Sequence, residues 1–142
     1  MDVRRFLSWA AEGEALIHVD VAVDPHLELA RVMDPLDGKP VLFQDLDGHP
    51  GWRALSGMCA QRETFGAALG CAVPELIARM NGALRRPVVP PIHDQGPCQA
   101  VTAPLDLTRL PIPRYHPADG GPYITAGVAT VRDPDFGRNL CF

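Results

Sequence analysis

The sequence has no apolar run longer than a handful of residues, no block of basic residues and no CxxC pair. A membrane-spanning helix needs about 20 consecutive, mostly apolar residues. A secretory signal needs an unbroken apolar stretch near the N-terminus, and Glu12 and Glu14 interrupt the only helical pattern there. No membrane partner is expected, and the reading is a soluble, cytoplasmic protein. The formal charge of -4 arises from acids and bases mixed along the whole length. Without a basic stripe to release counterions from a phosphate backbone, nucleic acid is excluded as a partner. Cys59, Cys71, Cys98 and Cys141 match neither a zinc nor a redox spacing and are expected to be buried, reduced thiols. GxSxG, P-loop and GxGxxG signatures are also missing, which argues against the common hydrolase and nucleotide-binding frameworks. His18, His26, His49, His93 and His116 are scattered, with no pair at metal-site spacing.

What is abundant is proline: 15 residues in 142, about twice the roughly 5% average, most of them after residue 86. Ahead of that point the pattern alternates helices and strands. Val3, Phe6, Leu7 and Ala10 repeat at helical spacing behind a candidate Asp2 cap, giving a helix over 3–12 that Gly13 can end in the left-handed conformation. A strand is expected from Ala15 to Asp20, and Asp24-Pro25 offers a cap and first-turn proline for a helix to about Met33. Asp37-Gly38 turns the chain into an apolar strand at Val41-Leu42-Phe43, and Asp47-Gly48 turns it again toward a strand from Trp52 to Met58. Two helices follow, one from Arg62 to Leu69 closed by Gly70. The other opens at Pro74 and carries Leu76, Ile77, Met80, Ala83 and Leu84 on a face read as core.

From Pro87 the run PVVPPIHDQGP removes backbone donors and holds the chain extended, as a connector does. The fold class is therefore α+β, with an N-terminal α/β domain over 1–86, a connector over 87–97 and a second domain beginning at 98. In that second part a strand is expected around Gln99 to Ala103, then a proline-rich loop, a Gly-Gly turn, and a long strand from Tyr123 to Arg132 that places Thr125, Gly127 and Ala129 on one small-residue face. His116 and Asp119 read as turn chemistry. Asn139, after the turn at 133–137, has an amide oxygen able to serve either as a hard-metal ligand or as a turn acceptor. A chain ending inside the returning strand at 138–142 would leave backbone unpaired, so a fragment or a partner chain is expected.

The stretches DLTRLPIP, DGGPYITAGVATVRDP and GRN, in that order and spacing, closely resemble the UbiD family of prenylated-flavin-dependent decarboxylases. The earlier pieces HVDVAVDPHLELA, VLFQDLDGHP and QRETFGAALG resemble the family's opening α/β domain, so the likeness spans nearly the whole chain. It departs in a shorter loop between Arg31 and Lys39 and at Cys141-Phe142. The resemblance implies that residues 98–142 begin a split β-barrel cofactor domain. It further implies Asn139 as a ligand of a divalent metal, usually Mn2+, that ties the phosphate of prenylated FMN to the protein. Phe142 would begin the backbone segment along that cofactor, Thr125 would face cofactor or substrate, and the backbone of Leu140 would help hold K+. The catalytic arginine, five positions beyond Asn139, and the catalytic glutamates would lie outside the sequence, leaving no catalytic residue within it and the segment inactive alone. The implied reaction is reversible decarboxylation of an α,β-unsaturated or aromatic acid. A flavin prenyltransferase would supply the cofactor, and the complete protein would be a homo-oligomer. Two other functions fit a similar fold: an FMN-dependent oxidoreductase module and a non-catalytic accessory subunit of a decarboxylase complex.

Overall fold

A computed structural model describes residues 2–135, 137 and 139–141, the side chains of 98, 130 and 139–141 excepted. The first helix, α1 (Val3–Glu12), starts where expected because the Asp2 carboxylate accepts the Arg5 N–H at 2.9 Å. Phe6 and Ala10, one turn apart, form its buried face. Its end differs from the expectation. Gly13 has φ -85 and the left-handed residue is Glu14, at φ 53, after which the Ala15 and Leu16 N–H groups both return to the Ala10 carbonyl.

Strand β1 (Ile17–Val23) lies parallel to β2 (Val41–Leu46), which pairs antiparallel with β3 (Ala54–Ser56), in the order β1-β2-β3. Parallel neighbours require a crossover, and α2 (Glu28–Met33) with the single 3-10 turn Asp34–Leu36 provides it. β2 is the central strand, and its Val41, Phe43 and Leu46 are almost completely buried. They form the core with Val23 and Leu29, bordered by Ile17, Val19, Val32, Met33, Leu36 and Ala54. Gly57 lets β3 leave the sheet: it has φ +74, and a Cβ there would meet the Lys39 carbonyl oxygen at 2.2 Å.

Helix α2 opens three residues later than Asp24-Pro25 suggests. The Asp24 carboxylate accepts the His26 N–H at 2.7 Å, the Asp24 N–H donates to Glu28 Oε2 at 2.8 Å, and Leu27 adopts φ 73. The backbone groups of a first turn are used in tertiary pairing instead, with Leu27 N–H donating to the Arg114 carbonyl at 2.9 Å and Arg114 N–H to the Pro25 carbonyl at 3.2 Å. A segment 88 residues downstream in sequence thus overrides a local helix signal.

Helix α3 (Arg62–Leu69) is closed by Gly70 in the left-handed conformation, as its sequence indicates. Helix α4 (Leu76–Arg85) follows a 3-10 turn at Val73–Glu75. Its apolar stripe is not core: Leu76 is buried, but Ile77, Met80 and Leu84 are 72%, 54% and 78% exposed. Beyond Leu76 the stripe has helical periodicity but stays exposed. The cysteine expectation is also corrected where it can be read, since Cys59 is an exposed free thiol and Cys71 a half-buried one.

Beyond α4 the chain has little regular structure. Residues 87–96 form no helix or strand, and Val88, Val89 and Ile92 are exposed. In place of the strand expected at 99–103 there is a 3-10 turn, Pro97–Gln99. The long strand expected over 123–132 is reduced to β4 (Thr130–Arg132), which pairs antiparallel with β5 (Asn139–Cys141). A strand exists only where it has a partner, and 123–129 have none among the described residues. The whole is a mixed α+β structure.

Candidate functional site

The residues singled out near the C-terminus cluster around one hairpin and one loop. β4 and β5 pair Thr130 with Cys141, Val131 with Leu140 and Arg132 with Asn139. Asp133 closes the hairpin turn, its carboxylate accepting the Asp135 N–H at 2.8 Å and its carbonyl the Gly137 N–H at 2.9 Å, with Gly137 at φ +62. Asn139 and Leu140 are therefore consecutive residues of a paired strand directly after a tight turn. Phe142 lies outside the described residues. Thr125 is on an exposed turn rather than on a strand, and its hydroxyl is 3.1 Å from the Tyr115 hydroxyl.

The loop before that hairpin is held by Arg114. Its Nη2 donates to the Pro117 carbonyl at 2.8 Å and to the Asp119 carbonyl at 2.7 Å, while its Nε is buried without a partner. The Asp119 carboxylate accepts the His116 N–H at 2.8 Å, and Asp119 N–H donates to the His116 carbonyl at 3.0 Å. The His-Pro-Ala-Asp run is turn chemistry, as its sequence indicates. Tyr123 N–H closes the loop onto the Pro113 carbonyl at 2.9 Å. The same Arg114 backbone pairs with 25–27, so this loop is registered against the carboxyl end of the parallel strands.

Sequence reasoning missed Arg114. It also treated His26 and His49 as unrelated, although each stands two residues after an aspartate that immediately follows a parallel strand. The repeated Asp-x-His was the signal available. Among the described residues, no three His, Cys, Asp or Glu side chains are grouped so as to hold a metal ion.

Comparison with known proteins matches residues 7–84 to the 3-octaprenyl-4-hydroxybenzoate carboxy-lyase N-terminal domain and residues 91–142 to the Rift-related domain of the same family. The chain belongs to the UbiD family. Among UbiD relatives, an anhydromevalonate phosphate decarboxylase from Methanothermobacter thermautotrophicus is 36% identical over 136 residues, covering 95% of this chain and 31% of the relative. The pyrrole-2-carboxylic acid decarboxylase of Pseudomonas aeruginosa is 31% identical over 155 residues, with the same two coverages. Of solved structures, the UbiD-class enzyme HmfF from Pelotomaculum thermopropionicum in complex with FMN superposes with a TM-score of 0.86 at 31% identity, covering 97% of this chain and 32% of that one. An evolved dimeric form of HmfF in complex with prFMN gives 0.82 at 32% identity, covering 97% and 34%. The chain thus spans about a third of the length of the relatives it matches.

Proposed function

We propose that this chain is the N-terminal third of a UbiD-type decarboxylase that removes carbon dioxide, reversibly, from an α,β-unsaturated or aromatic carboxylic acid with prenylated FMN. The observation that carries the reading is the pair of consecutive family domains, in family order, across nearly all of the chain. The division into an α/β domain over 1–86, a connector over 87–97 and the first strands of a split β-barrel from 98 onward belongs to the same proposal. The exposed, proline-containing 87–90 run between the two matched regions supports it.

When bound, prenylated FMN supplies the electron sink that no side chain offers for the carbon left by departing carbon dioxide. The residues present fit such a group in a limited way. Asn139 contributes a neutral amide oxygen, a donor suited to Mn2+, from a strand whose backbone is fixed by pairing with Arg132. On this reading Leu140 would offer its carbonyl to K+ from the same strand, and Phe142 would begin the segment along the cofactor. By the same reading the other metal ligands, the catalytic arginine and the glutamates are not among the residues of this sequence. The residues of this chain bind and orient; they do not transfer the proton. Thr125, tied to Tyr115, would face cofactor or substrate from the loop that Arg114 holds.

The test is carbon dioxide release by the complete protein, coexpressed with a flavin prenyltransferase and supplied with Mn2+, on a panel of cinnamic-type, furoic, pyrrole and hydroxybenzoic acids. Turnover of at least one acid, dependent on the prenyltransferase, is expected. Equal turnover with and without the prenyltransferase would overturn the cofactor assignment.

A further inference from the structure

The carboxyl ends of the two parallel strands form a second candidate site. β1 ends at Val23 and β2 at Leu46, which are register partners, and the next residue on each is an aspartate, Asp24 and Asp47. Asp47 N–H donates to the Val23 carbonyl at 3.0 Å, so the two aspartates leave the sheet side by side, at about the 4.8 Å spacing of neighbouring strands. His26 and His49 follow at the same offset. These four residues line a cavity of about 550 Å³, within the range of about 300–1,000 Å³ typical of small-molecule sites. Leu110, Ile112 and Pro122 supply an apolar wall from the loop that Arg114 registers against the sheet. The crevice outside the carboxyl ends of parallel strands is where open α/β sheets bind their ligands.

The chemistry narrows the ligand. Asp24, Asp47 and Glu28, which accepts the Asp24 N–H, place three carboxylates near one cation, Arg114, whose Nη2 already donates to two carbonyls. An anion is disfavoured there, and the described side chains do not group as a metal site. One Asp24 oxygen accepts the His26 N–H. Among the described residues, no hydrogen bond or ion pair engages the Asp47 carboxylate or the rings of His26 and His49. Two carboxylates lining one cavity can accept two neighbouring hydroxyl donors, as an acidic residue near a strand end does for ribose. Imidazole can complete the contact as donor or acceptor, and the Leu-Ile-Pro wall suits a flat carbon face.

We propose that this cleft binds a neutral vicinal diol carried on an apolar or aromatic frame, with Asp47 and Asp24 accepting its hydroxyls and His49 and His26 at its edges. The diol could be the ribose of a nucleoside or an aromatic catechol. The proposal uses none of the residues assigned to the cofactor, so it stands or fails independently of the decarboxylase reading.

The experiment is calorimetric titration of the complete protein with adenosine and with catechol, beside 2′-deoxyadenosine and phenol, which lack the diol. Parent, Asp47→Asn and His49→Gln are compared, with circular dichroism to establish folding. At least one diol is expected to bind, with its counterpart lacking the vicinal diol and the Asp47→Asn protein each at least tenfold weaker. Adenosine alone would assign a ribose, catechol alone an aromatic diol. Absence of binding by both diols, equal binding of the analogues that lack the vicinal diol, or undiminished affinity in Asp47→Asn, as expected for binding at the catalytic centre, would overturn the proposal. Should Asp47→Asn not fold, undiminished affinity in His49→Gln overturns it.

Discussion

Single residues carry three of the sharpest expectations. Asn139→Ala in the complete protein should lower bound metal and flavin severalfold, read by metal analysis and absorbance, with a Tm close to that of the parent. Its strand is held by backbone pairing with 130–132, which the substitution leaves in place, so equal cofactor content in mutant and parent would remove Asn139 from the site. Gly57→Ala should destabilise by about 1–3 kcal/mol in denaturant titration, because φ is +74 and the Lys39 carbonyl occupies the space of a Cβ. Asp2 provides a pH-dependent test. The Arg5 N–H holds its carboxyl below the usual carboxylate range, so the cap it places on α1 is fully present above the unfolded-state pKa and is lost as pH falls through the lower folded-state value. The Arg5 amide resonance should follow that titration, and an Arg5 shift that instead tracks an ordinary carboxylate midpoint would contradict the cap.

At the scale of elements, β2 organises the fold. Phe43→Ala removes a fully buried ring from the core it forms with Val23, Leu29, Val41 and Leu46 and should cost about 3–5 kcal/mol, measured by urea unfolding; a loss under about 1 kcal/mol would mean that the core lies elsewhere. The elements most legible in the sequence were those whose signals are local. Asp2 and Gly70 mark helix ends by their own chemistry, and Val41-Leu42-Phe43 is apolar enough to be a buried strand in any context. The misplaced elements depended on distant partners. The start of α2 moved because Arg114 pairs with Pro25 and Leu27, and no pattern near residue 25 reports on residue 114. The apolar stripe of α4 has the period of a core helix, but periodicity states which residues share a face, not whether anything covers that face. Likewise β4 is three residues long because pairing, rather than the composition of 123–132, sets the length of a strand. The Asp-x-His repeat was present in the sequence but meaningful only once β1 and β2 were known to be parallel neighbours in register.

At the scale of the whole molecule, the order of motifs was more informative than any one of them. DLTRLPIP, the Gly-Gly turn, and GRN are each weak alone, yet together they indicated the family to which residues 7–84 and 91–142 both match. The candidate metal-binding residues Asn139 and Leu140 stand on a short hairpin, and the carboxyl ends of β1 and β2 carry a separate cleft lined also by the loop before it. The central claim is that the complete protein works through prenylated FMN, and mass spectrometry of the flavin released from it after coexpression with a flavin prenyltransferase tests this most directly. The account predicts the prenylated mass, at near one equivalent per protomer; unmodified FMN alone, in a preparation that still decarboxylates its acid, would contradict it.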